Sequence, residues 1–377
     1  MTLGFKQAGF RTLAAIENDP TCVECLKENF KDIKVYGEDV RSITGKELMR
    51  DLGLKRGELD VVCGGPPCQG FSMIGLRDPK DPRCGLIFEF YRLVSELKPK
   101  FFVMENVPGM LSAHKGKFVD DLIQLLEEDG YVVVKPLRVL NSAHFGVPQK
   151  RKRVFIVGVR KDLKVQFNYP KQTHFLPEEI EKLKSSLPSD EFSKLKPTPT
   201  IRDAIADLPI VEDYPHLIES DSTAYTKRPI SLYAKMMRGL ISDESSEAST
   251  PKHWDSKVCT GCRRTLHGAT LKKRCETTPA GQNIPVSRLF KLGWEGVSNT
   301  LRAGTPRERG AYSSPRPIHP EQPRVITVRE GARIQSFPDW HRFHTTKWHG
   351  FRQVGNAVPP LLARAVASAV LKSIKTL

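Results

Sequence analysis

Over its first 160 residues this chain alternates short apolar segments with segments whose apolar residues recur every three or four positions. The strand-like segments are Thr12–Glu17, Lys34–Gly37, Leu59–Cys63, Phe101–Glu105, Tyr131–Val139 and Val154–Val159. Between them, Leu86–Leu97 (LIFEFYRLVSEL) and Val119–Glu128 (VDDLIQLLEE) carry helical spacing. A strand that is apolar on both faces needs cover on both faces, and interleaved helices supply it. The pattern therefore predicts an α/β doubly wound, mostly parallel sheet of Rossmann-like type. In such sheets ligands gather at the carboxyl ends of the strands.

The regular pattern fades later. Residues 161 to about 200 are rich in Lys, Pro and Ser and read as a linker, and residues 200–320 carry many turn formers. Helical spacing returns at Val328–Gln335 and Leu361–Ile374. A chain of 377 residues suggests two domains, or three. Its net charge of +16 points to a polyanion partner, nucleic acid before membrane. Twelve Lys/Arg against four Asp/Glu fall within 251–310, so half of the surplus sits in one stretch, as on a docking surface. There is no uninterrupted apolar run of about 18 residues and no signal-peptide pattern. Eight cysteines in a chain this long do not make a disulfide scaffold, so a reducing compartment is expected.

Three segments carry chemistry. Gly64-Gly65-Pro66-Pro67-Cys68-Gln69-Gly70-Phe71-Ser72 directly follows the strand-like LDVVC. Two prolines fix the backbone before Cys68, which suits a nucleophile at a strand end better than a buried structural thiol. Met104-Glu105-Asn106-Val107-Pro108 ends another strand, and side-by-side strands would bring Glu105 to Cys68. In Gln149-Lys150-Arg151-Lys152-Arg153, residues 149, 151 and 153 share one face of an extended chain and are expected to point into the same crevice.

These segments, in this order, resemble the cytosine-C5 DNA methyltransferases. Two late blocks extend the resemblance over most of the chain: Thr327-Val328-Arg329-Glu330-Gly331-Ala332-Arg333-Ile334-Gln335-Ser336-Phe337-Pro338 and Arg352-Gln353-Val354-Gly355-Asn356-Ala357-Val358-Pro359-Pro360. The resemblance implies that Cys68 attacks C6 of a flipped-out cytosine and that Glu105 bonds N3 and the exocyclic amine. It implies that Arg153, with Arg151, holds the ring carbonyl, and that Ser72 lies in a loop closing on DNA. S-adenosyl-L-methionine would be the methyl donor, with Glu17 at its ribose and Asp39, Val40, Pro66 and Leu86 around its adenine. Asn356 and Val358 would lie at its methionine end.

The same resemblance divides the chain into a catalytic domain (1–185), a target-recognition domain (186–310) and a returning C-terminal segment (311–377). Arg263, Arg264, Lys272, Lys273 and Arg274 are the candidate DNA contacts, most of them to phosphates. Duplex DNA is the expected partner, with a cognate restriction endonuclease if the enzyme belongs to a restriction-modification system and none if it stands alone. A monomer in the bacterial cytoplasm is the expected state. The family opens with a strand and a Gly-rich F-x-G-x-G loop ahead of the segment that matches Met1–Phe10. The first strand of the sheet is therefore expected to be missing here, and Met1 to be an internal methionine of a longer chain.

Two other readings stay open at this point: an RNA methyltransferase on the same scaffold, and an inactive DNA-binding remnant. Cys22-x-x-Cys25 reads as incidental. Cys259-x-x-Cys262, with His253, His267 and Cys275 close in sequence, is a possible zinc set whose spacing fits no strong pattern, so no metal is expected.

Overall fold

The computed structural model describes residues 1–67, 85–241, 254–285, 289–304 and 316–377, the His114 side chain excepted. The first half runs α1 (Thr2–Gln7), β1 (Ala14–Ile16), α2 (Pro20–Asn29), β2 (Lys34–Tyr36), α3 (Gly45–Leu52), β3 (Val61–Gly64), α4 (Leu86–Leu97) and β4 (Phe101–Asn106). It continues through α5 (Lys117–Glu128), β5 (Tyr131–Val133), β6 (Arg138–Asn141) and β7 (Lys152–Arg160). Local chemistry sets several boundaries. Asp19 caps α2 by accepting from the Thr21 and Cys22 amides, with Pro20 at the first helical position. A Thr44–Glu47 capping box opens α3, and Gly53 closes it in the left-handed region at φ 66°.

The sheet is in two pieces. β1 pairs in parallel with β2, and among the described residues they pair only with each other. β3 pairs in parallel with β4, β4 pairs antiparallel with β7, and β7 also pairs antiparallel with β5 and β6. The larger piece is therefore less parallel than the alternation predicts, because β7 returns against three partners. The single strand expected at Tyr131–Val139 is two short ones, β5 and β6, both laid on β7.

β4 is central, and period-two alternation sends its side chains to opposite layers. Phe101 and Val103 pack with Phe5 and with Leu362, Val366 and Val370 of the C-terminal helix Pro360–Ile374. Phe102 and Met104 pack with Ile87 and Val94 of α4 and Leu122 and Leu126 of α5. The Lys347–Asn356 and Pro360–Ile374 helices make the one described stretch long and apolar enough to cross a membrane, and it is mostly buried.

The β1–β2 piece joins the rest through side chains. Ile16, Tyr36, Val40, Leu59 and Val62 surround Ile43, Leu48, Leu93 and Leu97 in one cluster.

Residues 161–200 are not the free linker their composition suggests. His174–Phe175 pairs in parallel with Lys196–Pro197, the Glu179 carboxylate meets His144 at 3.0 Å, and the Thr198 hydroxyl donates to the Ala143 carbonyl. The polar residues of this stretch are spent on tethering it to the segment before β7. Beyond it, helices Ile201–Ile205, Leu232–Met237 and Val328–Ile334 share a core that includes Cys259, Cys262, Leu301, Trp340 and Phe351. Inside that region the fully buried Arg333 is held by Asp207 at 3.0 Å and Asp339 at 2.5 Å.

Candidate active site

The larger sheet brings three strand ends together. In the β3–β4 register Gly64 lies opposite Met104, so Gly65 and Pro66 run beside Glu105 and Asn106. Two contacts fasten this arrangement. The Asn106 side-chain amide donates to the Pro66 carbonyl at 3.0 Å. A Cβ at Gly65 would stand 2.9 Å from the Glu105 carboxylate, so the loop passes directly over that group and a side chain there would push the carboxylate aside. From the other side, Arg153 at the start of β7 reaches Glu105, with Nε 2.8 Å from Oε1.

Glu105 is buried, and burial raises its pKa above the usual carboxylate range against the opposing pull of Arg153 and then Arg151. Burial lowers the pKa of both arginines, and Arg151 is pushed down to about 9. Arg153 pairs with the carboxylate directly and Arg151 acts on it only through space, so the crevice carries more positive than negative charge and favours negative charge that develops in it.

The shared face expected for residues 149, 151 and 153 is only partly realised. Arg153 faces Glu105, but Arg151 donates instead to the carbonyls of Leu301 (2.9 Å) and Gly355 (2.8 Å). Gln149 bonds the Gln335 side chain and accepts from the Leu301 amide. The regular strand begins only at Lys152, so the two preceding side chains are free to turn toward those backbone groups. Cys68 and Ser72 lie outside the described residues, as does His253.

Around β1 and β2 the remaining candidates are spread along one rim. Glu17 follows β1 directly, and one of its oxygens accepts from the Asp19 amide at 2.9 Å. Both oxygens of Asp39 are taken by Arg41, whose hydrogen bonds hold the carboxyl down to about 2. Val40 packs into the cluster beneath, half-buried Pro66 continues the β3 loop, and half-buried Leu86 opens α4. Asn356 is exposed at the end of helix Lys347–Asn356. That helix is docked on the start of α2 by Gln353, which donates to the Thr21 carbonyl at 2.9 Å. Val358 is buried in the core with Phe101, one step inside the rim.

The basic candidates divide into two kinds. Lys272, Lys273 and Arg274 are exposed on the helix Ala269–Thr277. Arg263 and Arg264 are half-buried and donate to the Ile218 and Glu212 carbonyls. The cysteine pair comes together, Cys259 and Cys262 Sγ 3.3 Å apart, but Cys275 and His267 do not join it. Cys275 packs with Ile284 and Ile318, and His267 accepts from the Val325 amide. Among the described residues no group of three or more His, Cys, Asp or Glu is placed to hold a metal.

Sequence reasoning gave Asn106, Gln335 and Gly65 no individual role. All three lie inside the quoted blocks, but their work depends on partners far along the chain.

The profile of the family described as C-5 cytosine-specific DNA methylase matches residues 1–372. The type II methyltransferase M.XorII of Xanthomonas oryzae pv. oryzae is 42% identical over 375 residues, covering 100% of this chain and 82% of that protein. M.AgeI of Thalassovita gelatinovora is 31% identical, covering 98% of this chain and 96% of its own length. Among solved structures, a prophage-encoded protein of E. coli named as a DNA modification methyltransferase superposes with a TM-score of 0.76 at 29% identity. It covers 99% of this chain and 96% of that one.

Proposed function

This chain belongs to the C-5 cytosine-specific DNA methylases, and from that premise we propose that Cys68, Glu105 and Arg153 methylate a cytosine flipped out of a specific duplex DNA sequence. The activity itself, DNA cytosine-5 methylation of the type II restriction-modification kind, is that of the family. The assignment of residues rests on one observation above the others. The Gly65–Pro67 loop, which leads straight into Cys68, is pinned over a buried Glu105 that Arg153 holds from the opposite side.

Cytosine C5 is a weak nucleophile within an aromatic ring. The Cys68 thiolate forms a bond to C6 and pushes the ring electrons toward C5 and N3. Glu105, its carboxyl biased toward the protonated form by burial, donates a hydrogen bond at N3 and accepts from the exocyclic amine. Arg153 stabilises the ring carbonyl as negative charge spreads onto it. C5, made electron-rich in this way, would take the methyl group as the donor's sulfur–methyl bond breaks and its electron pair stays on sulfur. Loss of the C5 proton and breaking of the sulfur–C6 bond restore the ring and the free thiolate. The target atom is out of reach in a stacked duplex, so the base leaves the helix.

S-adenosyl-L-methionine supplies, when bound, a methyl group on a positively charged sulfur. The residues present fit it. Glu17 keeps one carboxylate oxygen without a partner among the described residues, which suits a ribose hydroxyl. Asn356 offers an exposed amide at the helix end that meets the segment before Arg153. Asp39 and Val40, with Pro66 and Leu86, would flank the adenine, and Arg41 would have to release Asp39 for it to take an amine.

The domain division 1–185, 186–310 and 311–377 belongs to this reading, with Lys272, Lys273 and Arg274 on DNA phosphates. So do a cognate restriction endonuclease, a monomeric state and a bacterial cytoplasmic setting. Transfer of a labelled methyl group to unmethylated duplex DNA, run beside Cys68→Ala, tests the site. Label incorporated by the parent alone supports it. Equal incorporation by both would sink the nucleophile assignment, and label entering tRNA in preference to DNA would favour the RNA reading.

A further inference from the structure

Between the crevice and the basic region runs a segment, 298–304, that has no regular secondary structure and is nevertheless held by hydrogen bonds at Ser298, Thr300 and Leu301. Ser298 exchanges backbone hydrogen bonds with Pro148 and Lys150, at 2.9 and 2.8 Å. The Thr300 hydroxyl donates to the Lys150 carbonyl at 2.8 Å. The Leu301 amide donates to the Gln149 side chain at 3.0 Å, and the Leu301 carbonyl accepts from Arg151 at 2.9 Å. Next to it Gly355 touches the segment backbone to backbone, since a Cβ there would meet the Ala303 nitrogen at 2.5 Å. Gln149 is itself braced by Gln335, which donates to the Ala357 carbonyl at 2.6 Å.

The residue so carefully placed is Arg302. Its side chain is exposed, and among the described residues it has neither a hydrogen-bond nor an ion-pair partner. Arg263 and Arg264, more central in the charge-rich stretch, are occupied by backbone carbonyls. A flexible cation on a loose loop would be ordinary solvation. An unpartnered cation on a backbone clamped from both neighbours is a positioned one. Its clamp, Arg151, stands two residues before Arg153, about 7 Å along an extended chain from the group that holds Glu105.

We propose that Arg302 binds a DNA phosphate beside the flipped cytosine, and that Gln149, Arg151 and Gln335 act as positioning residues that hold it there. This rests on the reading of the Glu105–Arg153 crevice as the cytosine site. Arg302 is the contact, and Arg151 serves the reaction through the segment it grips.

The test uses the full chain and unmethylated plasmid DNA, with KM for DNA measured across a range of salt concentrations. Arg302→Ala should raise KM for DNA about 10-fold and lower the slope of log KM against log salt by about 1, with kcat and KM for S-adenosylmethionine within about 2-fold of the parent. Arg302→Lys should recover most of the affinity, because a phosphate accepts a point charge. Arg151→Lys, checked for folding by its melting temperature, should raise KM for DNA similarly, and the double variant should be no worse than either single one. An unchanged KM and salt slope in Arg302→Ala would overturn the proposal. A change in which plasmid fragments accept methyl would overturn the phosphate assignment in favour of a base contact. Binding of the same DNA, read by anisotropy without any chemistry, keeps the Arg302 result separate from failure of the site reading, which would show as no methyl transfer by the parent.

Discussion

In the crevice, half-buried Arg153 pairs with the Glu105 carboxylate while fully buried Arg151, two residues earlier, is held by backbone carbonyls. In the basic region, Lys272, Lys273 and Arg274 stand exposed on one helix, and two neighbouring arginines are absorbed by carbonyls. The difference separates two uses of positive charge. In the crevice the low dielectric makes each cation strong but costly, so it must be fixed. On the exposed helix each is individually weak, and the sum supplies attraction to a polyanion. A third use lies between them. Arg333 is as buried as Arg151 but is fully neutralised by Asp207 and Asp339, which makes it structural.

That division can be broken at several points. Cys68→Ala should abolish methyl transfer, by at least about 10⁴-fold, while DNA binding by anisotropy stays near the parent value. Loss of binding along with activity would mean that the crevice and the docking surface are not separable. Arg333→Met should destabilise the chain by about 3–5 kcal/mol in urea unfolding, because two buried carboxylates lose their partner. A cost near zero would move Arg333 out of the structural class.

Glu105→Gln should lower kcat about 10²–10³-fold and leave DNA affinity unchanged. The pH profile sharpens this. Burial raises the folded-state pKa of Glu105, so the useful protonated form persists to higher pH than in an ordinary glutamate. Turnover should fall as pH rises through that raised value, and Gln should remove this limb. Smallest of all, Lys272→Ala, Lys273→Ala and Arg274→Ala should each weaken DNA binding by a few-fold and flatten its salt dependence by about 0.9 per lost phosphate contact. A change confined to one DNA sequence would instead place that residue at a base edge.

Much of the crevice was legible beforehand because it is built at strand ends. Alternation of apolar segments locates the ends of β3 and β4, and residues just beyond them must converge if those strands pair, as they do. The roles within Gln149–Arg153 were less legible. Alternate residues share a face only where the chain is extended, and regular pairing starts at Lys152. Composition misread residues 161–200 for a related reason. Lys, Pro and Ser mark a chain that cannot build its own core, but they do not reveal that the turn between β6 and β7 will tether it. Nearness in sequence does not predict packing either, since Cys275 sits on a helix facing a different cluster from Cys259 and Cys262.

By itself the sequence determined the kind of sheet, the strand ends that carry the chemistry, the family and the sign of the partner's charge. The family follows from the resemblance carried by the ordered motif blocks, and the rest from periodicity, turn chemistry and net charge, which are local or additive properties of a chain. Only the tertiary structure decided that Arg153 rather than Arg151 meets Glu105 and that the Gly65 backbone passes over that carboxylate. It alone left Arg302 without a partner among the described residues where Arg263 has one. Each of those outcomes depends on a backbone carbonyl or carboxylate brought in from elsewhere in the chain, often more than 100 residues away, as Leu301 is from Arg151. Long-range hydrogen-bond partners are set by packing, and no residue carries that information in its own type.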